Sequence, residues 1–110
     1  MLPLDQEPFY AGEYGVGLRH NAGKDLTAAT RIILTVTPPK GDAYVVEDAT
    51  VGAVDVKTKR HGLFKAGEYV VYITKVNEFE LEGRYYLKWE FEFGAGKKLK
   101  PQLQLLDVES

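Results

Sequence analysis

The sequence predicts an all-β protein, an antiparallel β-sandwich of about seven short strands, on three observations. In the stretch GRYYLKWEFEF, Tyr85, Leu87, Trp89, Phe91 and Phe93 fall at every second position, with Arg84, Tyr86, Lys88, Glu90 and Glu92 between them. Strand side chains alternate between faces, so this pattern makes one face for a core and one for water. No segment carries apolar residues at the three-and-four spacing of a helix over three turns. Turn signals recur instead at strand-length intervals, a rhythm that fits a sandwich better than a closed barrel.

From the N-terminus, residues 1–11 read as a short arm and residues 12–110 as a single domain. The arm carries Leu2, Leu4, Phe9 and Tyr10 without a strand pattern, and Pro3 and Pro8 oppose regular structure. It is expected to be a docking peptide that becomes ordered against a partner. GEYGVGLRH then alternates with Tyr14, Val16 and Leu18 on one face, and NAGK supplies a turn. TRIILTVTP follows with Ile32, Leu34 and Val36 inward, and Pro38 and Pro39 end it because proline cannot donate to a ladder. KGDAYVVEDA reads as a turn and a short strand, and VGAVDVKT as a weaker one. GEYVVYITKV is apolar on both faces, which marks a central strand. Tyr69, Val71 and Ile73 are assigned to one side of it, and Val70, Tyr72 and Thr74 to the other.

The long strand from Gly83 comes next, with Trp89 at the centre of the core, then a glycine-lysine hairpin and a last strand, PQLQLLDV. In that strand Leu106 joins the face of Gln102 and Gln104. It is expected to be exposed and to contact a neighbouring subunit or another protein at a sheet edge. The predicted core is Leu34, Val36, Tyr69, Val71, Tyr85, Leu87, Trp89 and Phe91.

A chain of 110 residues, 45% hydrophobic and 27% charged, fits one ordinary globular domain. It has no cysteine, so disulfides and thiolate chemistry drop out together. No apolar run approaches the roughly 18 residues of a membrane helix, and the first residues lack the basic start and apolar run of an export signal. No membrane partner is expected. The net charge of −2 exerts no general pull on nucleic acid. Lys57, Lys59, Arg60 and Lys65 beside His61, and Lys97, Lys98 and Lys100, fall in expected turns and read as solvated loops.

His20 and His61 lie far apart with no regularly spaced carboxylates near either, so both are expected to face solvent and not a metal. The glycines of GEYGVG, AGKD and GAGKK lack the phosphate-loop spacing. Glu78 with Glu80, and Glu90 with Glu92, share strand faces, a pattern of soluble surfaces more than of glycosidase pairs. Serine occurs once, as Ser110, which leaves no serine nucleophile beside a histidine. No catalytic residue, cofactor, metal or small-molecule ligand is assigned, and no enzyme activity is expected.

In FELEGRYY, Leu81, Gly83 and Tyr85 have the spacing of the corner at which immunoglobulin-like sandwiches cross between sheets, the tyrosine hydroxyl bonding back to the chain. A plain hairpin loop is the alternative. GKDLTAATRIILTVTPPKG, Gly23 to Gly41, resembles the DLTGAT opening, strand and turn of small immunoglobulin-like domains in tailed-bacteriophage virion proteins, including the N-terminal domains of baseplate upper proteins. Ala28 stands where that family often has glycine. GEYVVYITKVNEFELEGRYYLKWEFEFGAGKKLKPQLQLLDV is similar to the second half of those domains. The resemblance covers over half the chain. It implies an immunoglobulin-like sandwich made in the host cytoplasm and built into the virion as a minor structural protein of the tail, baseplate or head-to-tail connection. Its partners would be other virion proteins, a homo-oligomer among the forms of assembly, and it brings no catalytic residues. The alternative is a carbohydrate-binding sandwich for host attachment, with Tyr10, Tyr44, Tyr72 and Tyr86 as a stacking platform.

Overall fold

The computed structural model describes residues 9–58 and 62–110. Among them are β1 (Phe9–Tyr10), β2 (Gly17–Asn21), β3 (Ala29–Thr37), β4 (Tyr44–Val46), β5 (Thr50–Val51), β6 (Val56–Thr58), β7 (Gly62–Phe64), β8 (Tyr69–Ile73), β9 (Gly83–Phe93) and β10 (Gln102–Glu109). The protein is all-β, as expected. The described residues hold ten strands where about seven were expected, because pieces as brief as β1, β5 and the β6–β7 hairpin are too short to display a period.

Five strands form one sheet in the order β1-β10-β9-β3-β4, three form another in the order β2-β8-β5, and β6 pairs with β7 alone. The larger sheet is mixed, not purely antiparallel, since β1 runs parallel to β10. β8 is the central strand of its sheet, as its two apolar faces predict. Side chains from both sheets enter one hydrophobic cluster, an arrangement compatible with a β-sandwich.

β9 alternates as its sequence dictates: Tyr85, Leu87, Trp89 and Phe91 are buried, while Arg84, Tyr86 and Lys88 are exposed. Leu34 and Val36 lie opposite Trp89 and Leu87 across the β3–β9 ladder, and all four have no exposed surface. Trp89 stacks on Phe91, with centroids 6.5 Å apart, and on His20 from the opposite sheet, at 5.7 Å. Each such ring contributes on the order of 2–3 kcal/mol by leaving water.

The crossing from β8 to β9 forms the predicted corner. The Tyr85 hydroxyl donates to the Leu81 carbonyl at 3.0 Å and accepts from the Leu81 N–H at 3.1 Å. Gly83 has φ +132, a backbone conformation that L side chains rarely adopt, and a Cβ there would meet Pro39 at 3.0 Å. The turn after Leu26 also closes, with Ala29 N–H donating to Leu26 O at 3.0 Å and Thr27 N–H to Asp25 Oδ1 at 2.9 Å. Ala28 is not among the residues of positive φ, so glycine is not needed there.

Three expectations are corrected. On β8, Val70 and Tyr72 enter the main core, opposite His20 and Leu18 of β2, while Val71 is half-buried and Ile73 exposed. Alternation was read correctly, but two apolar faces do not say which is inner. Phe9 is no docking anchor: it is 2% exposed, packs edge-on against Phe79 at 5.7 Å and belongs to the core. Leu106 is not an exposed contact either, since it is partly buried against the core beside buried Val108. Leu2 and Leu4 lie outside the described residues.

Candidate interaction surface

The inner face of β10 determines what its outer face can be. Gln102 and Gln104 point inward and tie the sheets together. Trp89 Nε1 donates to Gln104 Oε1 at 2.9 Å, and Gln104 Nε2 donates to the Arg19 carbonyl of β2 at 2.9 Å. His20 Nε2 donates to Gln102 Oε1 at 2.6 Å, and Gln102 Nε2 to the Ala22 carbonyl at 3.2 Å. A buried indole N–H needs an acceptor, and inward glutamines supply it. His20 is therefore a half-buried inter-sheet contact and not the solvent-facing group expected. Its burial pushes its pKa below 6.5, partly opposed by the bond to Gln102.

Because the glutamines turn in, Leu103 and Leu105 turn out, 72% and 53% exposed. The register then builds the outer face row by row. Asp107 faces Arg84, and the two form a salt bridge at 2.7 Å. Leu105 faces Tyr86, which faces Thr37. Leu103 faces Lys88, which faces Thr35, which faces exposed Val45 of β4. Beyond them Glu90 faces Ile33, and Arg31 bonds Glu47 at 2.6 Å. The surface is an apolar middle of Leu105, Tyr86, Leu103 and Val45 around Lys88, with an ion pair at each end. Exposed pairs of this kind contribute little to stability and more to the selection of partners.

The outer face of the three-stranded sheet is covered instead where Tyr69 stands, and open at Ile73. Tyr69 stands beneath Phe64 of β7 with centroids 5.5 Å apart, its hydroxyl donating to the Val54 carbonyl at 2.8 Å. The Arg19 guanidinium lies 5.6 Å from the centre of the Phe64 ring and 5.7 Å from that of Tyr69. Both rings are buried outside the main core.

The four tyrosines of the stacking platform do not assemble. Tyr72 is buried and Tyr44 half-buried, and their hydroxyls donate to the same Glu78 Oε2 at 2.7 and 2.9 Å. Lys75 Nζ donates to the Tyr72 hydroxyl at 3.0 Å and to Asp48 at 2.7 Å. Burial, and then the Glu78 carboxylate, push both phenols well above their ordinary range, so both remain protonated donors that lock this end of the molecule. Only Tyr10 and Tyr86 of the four are well exposed.

Leu103, Leu105 and Val45 were missed as surface residues, since leucines alternating with glutamines read as inward. The unmet hydrogen bond of a core tryptophan was the one available signal against that reading. Among the described residues no group of three or more His, Cys, Asp or Glu is placed to hold a metal ion. His61, Lys59 and Arg60 lie outside the described residues. Comparison with known proteins finds no match: no family model, no curated protein and no solved structure matches this chain.

Proposed function

We propose that the chain is an immunoglobulin-like sandwich that serves as a minor structural protein of a tailed-phage virion, attaching or bridging other virion proteins. The strand orders support the fold: β1-β10-β9-β3-β4 and β2-β8-β5 correspond to strands A′GFCC′ and BED of that architecture, with the tyrosine corner at its E–F crossing. The observation that carries the function is the bare apolar middle of the larger sheet's outer face. A domain that covers Tyr69 on one outer face with its own hairpin and leaves leucines, a tyrosine and a valine together on the other has a surface suited to a protein partner. The virion as the location rests on the sequence resemblance.

The test is mass spectrometry of particles purified from the phage that encodes the chain, followed by cryo-EM of the intact virion. The chain should be present at a fixed copy number, with the face of Tyr86 and Val45 against another protein. Absence from purified particles, or that face turned to solvent in the assembled virion, would sink the proposal.

A further inference from the structure

β10 has β9 along one side from Gln102 to Val108. Along its other side, among the described residues, only β1 meets it, at Val108 and Glu109. The Glu109 carbonyl accepts from Ala11 N–H at 2.6 Å on that second side. Backbone groups alternate along a strand, so the odd-numbered residues of β10 direct theirs away from β9. Leu103 and Leu105 thus present two N–H and two C=O groups to an edge that no described strand pairs.

The properties of this edge specify its occupant. It is short, bounded by Pro101, which has no N–H, and by β1. Gln102–Leu106 carry no charge, and the stretch has none of the lysines, internal prolines or bulges that guard natural edges. It is also complementary to itself. An antiparallel copy centred on Gln104 sets Leu103 opposite the second copy's Leu105, and Leu105 opposite its Leu103, while no like charges meet. Both cross-strand leucine pairs then cover side chains that are among the most exposed apolar groups of the monomer.

The geometry points to a symmetric dimer in which two copies pair antiparallel through the open edge of β10, with the two-fold axis at Gln104, joining their five-stranded sheets into one. The contact is short, so it forms by mass action and is strengthened where other contacts hold copies close together. It requires nothing from the virion reading, because the edge belongs to the isolated chain.

Sedimentation equilibrium should show a mass rising from 12.3 kDa toward twice that value with concentration. The double variant L103K/L105K should dissociate at least about tenfold more readily, with an unchanged melting temperature, since it sets lysines opposite lysines on an exposed face. The chain has no cysteine of its own, so register can be read directly. Oxidising an equal mixture of the L103C and L105C variants should give mainly the mixed 103-to-105 disulfide, because hydrogen-bonded strand partners have Cα atoms about 5.5 Å apart, within disulfide range. Predominant same-position cross-links would overturn the register. A dimer indifferent to L103K/L105K would overturn the edge. A monomer at millimolar concentration, including one whose edge is occupied by the chain's own first eight residues, would overturn the dimer.

Discussion

The two sheets treat their outer faces in opposite ways. On the three-stranded sheet, the outward Tyr69 is covered by Phe64 of the β6–β7 hairpin and is 2% exposed. On the five-stranded sheet, Tyr86 also points outward, from within β9, and is 52% exposed. The same residue type on the same kind of surface is thus a packing element in one place and a free contact in the other. Apolar area already covered contributes to the stability of the chain, whereas area left open contributes only when something binds it. The sequence places no special residue at either position; the hairpin over one sheet makes the difference.

The largest expected effect sets the scale against which both faces are measured. Trp89→Ala removes a fully buried ring, its stacking on His20 and Phe91 and its bond to Gln104, and should cost about 3–5 kcal/mol in denaturant unfolding. Glu90→Ala, one residue on and facing outward, should change little. Equal melting temperatures for the two would break the division of β9 into an inner and an outer side.

The covered face comes next. Tyr69→Ala should cost about 3 kcal/mol, against less than about 0.5 kcal/mol for Tyr86→Ala. If the two losses were equal, the hairpin would not be acting as a cover. Gly52→Ala sharpens the same point from below the ring. A Cβ at that position would lie 1.9 Å from the Tyr69 ring, so the ring would have to move off its seat. A loss of about 1–3 kcal/mol is expected, and the double variant with Tyr69→Ala should lose less than the sum.

Much of this was legible in the chain, and what was not failed for definite reasons. The strict alternation of β9, the proline stop after β3 and the Leu81–Gly83–Tyr85 corner are local signals, and each appears where its residues place it. The inner side of β8 was not legible, because Tyr69, Val71 and Ile73 are as apolar as Val70 and Tyr72, and only the way the preceding β6–β7 hairpin folds back over Tyr69 separates them. β10 was inverted for the opposite reason. Its polar residues face inward because Trp89 and His20, on other strands, need hydrogen-bond partners. Phe9 was misread because two residues of parallel pairing leave no period to detect. The bare face was therefore visible only once β10 had been oriented.

A smaller effect follows from His20, which joins the two sheets beneath both faces. Burial holds its folded pKa below the unfolded value near 6.5. The unfolded chain then binds the proton first, so stability is full above about pH 6.5, falls as pH drops toward the folded pKa, and levels off below it. His20→Gln should remove that component of the acid-side slope in unfolding measured against pH. An unchanged slope would show that the imidazole is solvated as freely in the folded protein as in the unfolded chain.

The smallest effect on stability should carry the largest effect on assembly. Tyr86→Glu and Val45→Lys alter two outward residues on β9 and β4, both more than half exposed and neither on the open edge of β10. Neither side chain loses much burial, so each variant should unfold within about 0.5 kcal/mol of the parent. A charge introduced into the apolar middle of the face would be desolvated against a partner, a cost commonly of several kcal/mol at an interface. Incorporation into particles, measured by mass spectrometry of purified virions, should therefore collapse while self-association in sedimentation persists. Normal incorporation of both variants would show that the bare face meets no partner in the virion, and the contrast between the two sheets would then be one of stability alone.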